Sequence, residues 1–351
     1  MDKKFFKDLV MAPSPSGFEQ PAQEVFRNYV KDVADEVKTD VHGNVIALKK
    51  GSGKLRVMVV GHADEIGLMI HYIDDNGFLR FKSVGGVDPS LLPGLRVNVY
   101  HEGTVVRGVI GRKPIHLLQP EERTKAPKFE ELWIDIGAKD KKAAEKKVAV
   151  GDIVTFSPGM EMLSSDLVTT KATDNKAGVY VAASVMKELA AEKIAANYYA
   201  VSSVQEEIGL RGAITSAFGI DPHVGIALDV THASDYPGMS KDILGECSLG
   251  SGPCIAVGAN INPQVFKMLK QIADEAKIPY QVEAAPRGTG TDANAIQTTR
   301  AGVAAGLVSI PNRYMHTPNE VISFKDLDAA VKLIAAFIKA IDDQTDFIPK
   351  A

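Results

Sequence analysis

The second half of the chain alternates short apolar runs with stretches whose apolar residues recur at helical spacing. Strand patterns at 198–204, 224–228, 254–257, 281–284 and 303–309 are separated by helical patterns at 212–218, 263–277 and 293–299. A further helix is predicted from 175 to about 189, and a last one over 324–341. Apolar runs without polar alternation mark strands buried on both faces, and the helices between them supply the covering layers. The pattern predicts an α/β fold, a mostly parallel mixed sheet with helices on both faces. Near the start, Ser16-Gly17-Phe18-Glu19 reads as a helix start, with Val25, Tyr29 and Val33 following at helical spacing. Residues 36–39 and 44–48 read as strands around a turn at His42-Gly43-Asn44, and the run 55–60 enters the core.

From about residue 69 to 162 the texture changes. Segments 78–81, 96–100, 104–110 and 148–156 are short, rich in β-formers and interrupted by Gly and Pro. They predict an inserted all-β domain over 69–163, which divides the α/β domain into residues 1–68 and 164–351. The segment 119–131 is charged, carries Pro120 and Pro127, and is expected to be an exposed loop.

Composition narrows the partner. The 351 residues are 45% hydrophobic and 24% charged, enough for one large or two ordinary cores. A net charge of -4 gives no electrostatic case for nucleic acid or an anionic membrane, so a small molecule or peptide is expected. No apolar run approaches the roughly 18 residues of a membrane span. The opening residues return to charge at Lys7 and Asp8 without a signal-peptide core, and a soluble cytoplasmic protein is expected. Cys247 and Cys254, the only cysteines, read as ordinary thiols rather than a disulfide framework or zinc site.

Against this background five potential ligands stand out: His62, Asp174, Glu207, Asp229 and His316. Each closely follows an apolar run or opens a helix beside one. In open α/β sheets functional groups gather beyond the carboxyl ends of the strands, so these distant residues are expected to meet. Two imidazoles and three carboxylates, with no thiolate, suit a pair of borderline or hard divalent ions. Each residue alone has a plainer reading. His62 with Asp64 can be a polar pair at a strand end, or Asp64 can orient the imidazole of a ligand. Asp174 can cap a helix, or bridge two ions with its two oxygens. Glu206 and Glu207 can form a solvated turn, or divide the work between metal binding and proton transfer. The joint placement favours the functional reading.

Several other motifs fail on context. Gly51-Ser52-Gly53-Lys54 is followed by a strand, not the helix a phosphate loop needs. The chain has no G-x-S-x-G and no H-E-x-x-H, and lacks the C-x-x-C of a zinc deaminase. An endoglucanase-type glycosidase, needing only a carboxylate pair, and a non-catalytic peptide- or sugar-binding module are the rival readings.

The segments 61–67, 174–178, 205–212, 227–231 and 315–317 resemble the dimetal aminopeptidases that assemble into tetrahedral shells, a family that includes glutamyl, deblocking and cellulase-like members. The likeness spans essentially the whole chain, including Gly85-Gly86-Val87-Asp88, 113–118 and Gly290-Thr291-Asp292-Ala293. It implies hydrolysis of the N-terminal residue of short peptides. It also implies two divalent ions per subunit, zinc first and cobalt or manganese as alternatives. By the same resemblance Asp174 bridges the ions, His62 and Asp229 complete one site, and Glu207 and His316 the other. Glu206 is then the general base and Asp64 orients His62. The inserted domain would mediate dimer contacts, and dimers would build a dodecameric homo-oligomer. One departure is Asn175-Lys176, where the family often has Asp-Arg. The substrate-binding residues stay open, with Arg287 and Lys241 as candidates only for an acidic substrate.

Overall fold

The computed structural model describes residues 1–157 and 159–349. Among these, eight strands form a central mixed sheet in the order Glu36–Thr39, Val45–Lys49, Asn197–Ser203, Arg56–His62, Val224–His232, Ala304–Asn312, Cys254–Gly258, Gln281–Ala285. The four strands at its centre, from Asn197–Ser203 to Ala304–Asn312, all run parallel. The pairs nearer either edge include antiparallel ones. This is the fold class that the sequence pattern predicts.

The pleat decides which layer each residue joins. Val57 and Val59 pack under the helices Lys3–Met11, Gln20–Val30, Thr173–Glu188 and Phe324–Ala340, while Met58 and Val60 pack on the other face with Arg211–Ile220 and Asp292–Gln297. Ile226 and Leu228 repeat the first assignment and Ala227 the second. Both faces being covered explains why the sequence shows unbroken apolar runs there. Thr173–Glu188 lies very close to the sheet. A Cβ on Gly61 would stand 2.4 Å from the backbone carbon of Gly178, and one on Gly178 would stand 2.8 Å from the Leu228 carbonyl. The two glycines thus permit the approach that brings the start of this helix over the ends of the central strands.

A closed antiparallel barrel sits apart from the sheet. Its strands are Gly67–Ile73, Leu79–Val84, Leu132–Asp135, Thr104–Arg112, Arg96–His101 and Ile153–Phe156, around a core that includes Leu68, Ile70, Phe81, Val99 and Ile134. Between its strands, 119–131 is exposed for most of its length but not featureless. Helical turns occur at Pro120–Arg123 and Phe129–Glu131. A small sheet of Met160–Met162, Leu167–Thr170 and Glu320–Ser323 ties the returning chain to the segment after His316. Among the described residues no helix is long and apolar enough to cross a membrane.

Candidate metal centre

Because the four central strands are parallel, their carboxyl ends share one edge, and the polar residues that end or follow them converge there. His62 closes Arg56–His62, Asp229 lies near the end of Val224–His232, Glu206 and Glu207 follow Asn197–Ser203, and His316 follows Ala304–Asn312. Asp174 arrives from the helix laid over the same edge. The capping role falls to its neighbour: Asp174 and Asn175 both have non-helical backbone angles, and it is the Asn175 side chain that accepts from the Gly178 N–H at 2.9 Å where the regular turns begin.

Asp174 stands at the centre of the cluster. One carboxylate oxygen lies 3.2 Å from His62 Nε2 and the other 3.2 Å from His316 Nε2. His62 Nε2 also faces Glu206 at 3.5 Å and Asp229 at 3.9 Å, and His316 Nε2 faces Glu207 at 3.5 Å. Ligand atoms of His62, Asp174 and Asp229 lie within 4.8 Å of one another, as do those of Asp174, Glu207 and His316. The structure brings all five sequence candidates together, in two triads that share Asp174.

The rest of the local network orients these groups. His316 Nδ1 lies 2.9 Å from the Gly86 carbonyl, and His62 Nδ1 lies 3.1 Å from the Asp64 carbonyl. Protons on both Nδ1 atoms leave both Nε2 lone pairs directed into the cluster, the tautomer a metal ligand requires. The Asp64 carboxylate is 3.4 Å from His62 Nδ1, farther than its own carbonyl. Its oxygens accept instead from Ser16 Oγ at 2.7 Å and from the backbone N–H groups of Glu206 at 3.0 Å and Glu207 at 3.1 Å. Asp64 therefore fixes the two glutamates at least as firmly as it fixes the imidazole.

The electrostatics call for positive charge. Burial, with the nearby Asp174, pushes Glu207 up to about 8, and burial pushes Asp229 up to about 8 against the opposing pull of His62. Glu206 is driven to about 10, chiefly by burial and further by Asp229, Asp292 and Asp174. The hydrogen bond to Asp174 lifts His316 to about 10. Burial opposes ionisation of Asp174, but its hydrogen bonds to His316 and His62 outweigh that and hold it below the ordinary carboxylate range. Glu207 Oε1 is buried without a hydrogen-bond partner while facing His316. An orphaned carboxylate oxygen and an all-nitrogen and oxygen donor set fit divalent cations.

Sequence reasoning missed Glu320. Its buried carboxylate accepts from the Asp174 backbone N–H at 3.0 Å, from Thr173 Oγ1 at 2.6 Å and from the His316 backbone N–H at 3.1 Å. One side chain thus fixes the backbone of the shared aspartate and of the second histidine. The available signal was an acid four residues beyond His316, directly before the apolar pair Val321-Ile322. The unusual Asn175-Lys176 pair also has defined work. Asn175 donates to the Leu228 carbonyl at 2.7 Å and accepts from Gly178 N–H at 2.9 Å. Lys176 reaches Ala12 O at 2.6 Å and Glu65 at 3.1 Å, beside Lys171 at 2.6 Å from the same acid. Burial lowers Lys176 to about 7 despite that pairing.

The triads open on a cleft of about 560 Å³ whose far wall comes from Glu283, Ala284 and Ala285 and from Thr289 to Thr291. A larger cavity of about 830 Å³, between Arg56, His223 and Phe347 at the amino ends of the strands, contains none of the site groups.

Comparison with known proteins finds relatives that span nearly the whole chain. A profile of the M42 glutamyl aminopeptidases matches residues 43–333. The chain is 40% identical over 353 aligned positions to a lysyl aminopeptidase of Pyrococcus furiosus, covering 99% of this chain and 100% of that one. A TET aminopeptidase from a marine sediment archaeon of the Thaumarchaeota superposes with a TM-score of 0.92 at 32% identity, covering 97% of both chains. The Pyrococcus horikoshii TET1 peptidase, described as assembling into a tetrahedron or a large octahedral shell, superposes at 0.87 with 31% identity, covering 97% and 99%.

Proposed function

Since the chain belongs to the M42 glutamyl aminopeptidase family, and is therefore an exopeptidase, we propose that it removes N-terminal residues from short peptides with a pair of divalent ions and Glu206 as general base. The single observation that carries this reading is Asp174, with one oxygen 3.2 Å from each imidazole Nε2. His62, Asp174 and Asp229 would hold one ion and Asp174, Glu207 and His316 the other, zinc first, with cobalt or manganese as alternatives. Bound there, the ions would supply Lewis acidity and lower the pKa of water towards neutrality. Glu206 accepts the proton of the attacking water and returns it to the amine that leaves when the peptide C–N bond breaks. Asp64 keeps Glu206 and Glu207 in register through their backbone N–H groups. The carboxylates around the cleft attract the free α-ammonium of a peptide, which restricts cleavage to the first residue.

The test is a panel of aminoacyl p-nitroanilides after chelation and re-addition of zinc, cobalt or manganese. Turnover is expected to vanish with the chelator and return with at least one metal, and α-acetylated substrates are expected to stay intact. Anilide turnover that survives complete chelation overturns the metal-dependent reading, and activity on glucans that survives chelation favours the metal-free glycosidase class.

The same reading includes a cytoplasmic setting and a homo-oligomer, a dodecameric shell built through residues 69–163. The assembly of the TET1 relative supports it. So do the exposed apolar side chains Tyr72, Leu91, Val105 and Val109 on the barrel segment. Sedimentation velocity is expected to show a large particle, and a monomer at micromolar concentration dismisses the shell.

A further inference from the structure

Glu283 lies on the wall of the same cleft as both triads, and the catalytic scheme gives it no role. It sits in the middle of the edge strand Gln281–Ala285, where it pairs in register with Ala256 of Cys254–Gly258. One carboxylate oxygen accepts from Thr231 Oγ1 at 2.9 Å. The other is shielded from solvent and has no hydrogen-bond partner. A buried, half-satisfied carboxylate on a binding surface is costly unless a donor arrives with the ligand.

From this we infer that Glu283 receives the side chain of a basic N-terminal residue, lysine or arginine, and sets the specificity of the enzyme. The inference rests on the aminopeptidase reading and extends it to a substrate class. Thr231, which holds Glu283, is two residues beyond Asp229 on one strand, and such residues share a face. The step between them is about 7 Å, a span suited to the four-carbon stem of lysine. Ala256, Ala285 and Leu307 on the cleft lining offer apolar surface to that stem. The last side-chain torsion of glutamate is broad and two-fold, so either oxygen can turn to meet the cation.

The charge inventory points the same way. Among the described residues lining the cleft there is no lysine or arginine. Lys241 is engaged with Glu246 at 2.7 Å, and Arg287 is exposed off the lining, so neither of the sequence candidates for an acidic substrate serves it. Besides the site histidines, the cationic candidate on the wall is His232, which itself acts on Glu283. An acidic substrate side chain would meet Glu283 with repulsion, and an apolar one would leave its carboxylate unpaired.

The experiment compares kcat/KM for Lys-, Arg-, Leu- and Glu-p-nitroanilide in the metal-loaded wild type, E283Q and E283R. Wild type is expected to favour Lys and Arg over Leu, with Glu last. In E283Q the Lys-to-Leu ratio should fall roughly tenfold or more, the size of losing a charge-assisted contact. In E283R the Glu substrate should gain on Lys, a reversal that structural damage does not produce. Calorimetric binding of lysinamide and leucinamide to wild type and E283Q gives a second readout, with the lysinamide preference expected only in wild type. A wild type that prefers Leu or Glu, or an E283Q variant in which Lys and Leu fall by one factor, overturns the inference while leaving the aminopeptidase intact. A wild type that cleaves no aminoacyl anilide after metal loading removes both.

Discussion

Glu206→Gln is expected to retain its metal ions and lose about 10²- to 10⁴-fold in turnover, the usual contribution of a positioned proton-transfer group. The substitution is close to isosteric, and the surroundings hold the position through the backbone. Asp64 accepts from the Glu206 N–H at 3.0 Å, and the Glu206 carbonyl accepts from Gly209 and Leu210 at 2.8 and 3.0 Å. Neither triad includes Glu206, so the amide removes the proton acceptor and none of the six ligand positions that the two triads describe. Expressed as a barrier, the loss is about 2.7–5.4 kcal/mol. Metal analysis after dialysis and steady-state kinetics on one substrate check both halves. Retention of more than about a tenth of the wild-type rate places the base elsewhere, and loss of a metal together with the rate makes Glu206 a ligand.

Electrostatics ties that result to metal loading. Burial pushes the Glu206 carboxyl to about 10, so it is a base near neutrality only when positive charge stands beside it. Glu207 and Asp229, each at about 8, share the same need. Proton transfer and metal binding are therefore coupled in this cluster, and a chelated wild type should be as inactive as the chelated variant.

The convergence of the five candidate ligands was legible because the central strands are buried on both faces. An uninterrupted apolar run makes the first polar residue after it conspicuous, as at Val60-Gly61-His62 and Leu228-Asp229. Parallel order then converts five such ends into one place. What acts through the backbone left no comparable mark. Glu320 reaches Asp174 and His316 by their N–H groups, and nothing in composition reveals which acid will be folded against which amide. Glu283 was hidden by its edge strand, where burial alternates residue by residue and an acid looks like ordinary surface.

The first helix, Lys3–Met11, was masked by its charges. Lys3, Lys4, Lys7 and Asp8 dominate the reading of that segment, yet Phe5, Phe6, Leu9 and Val10 form one buried stripe. The small sheet of Leu167–Thr170 with Glu320–Ser323 pairs residues far apart in the chain, and short segments carry too little pattern to announce such a partner. Cys247 and Cys254 read as ordinary thiols and are free, but their sequence positions do not reveal that the fold sets their sulfurs 3.3 Å apart. Spacing arguments work when many cysteines constrain one another, and two alone give no such constraint.

Replacing Asp174 is expected to empty both metal positions at once, which distinguishes it from every other ligand. Its two oxygens face different imidazoles, so Asp174→Asn turns an amide NH₂ towards one of them and Asp174→Ala removes both contacts. Glu207→Gln, by contrast, weakens only the triad with His316, and Asp229→Asn only the triad with His62. The expected pattern is two ions in wild type, one after either single-site change, and fewer than one after Asp174→Ala. Turnover should follow the shared site, with a loss of about 10³-fold or more for Asp174→Ala if each ion supplies several kcal/mol of stabilisation to the reacting centre. Thermal unfolding gives an independent readout. Ions that bind only the folded state raise its stability by about 2.7 kcal/mol at a hundredfold excess over Kd. Wild type should show that upward shift in Tm on metal addition, and Asp174→Ala should show almost none. An Asp174→Ala protein that still binds two equivalents and shifts normally removes the bridging aspartate, and with it the division of the five residues into two triads with a common member.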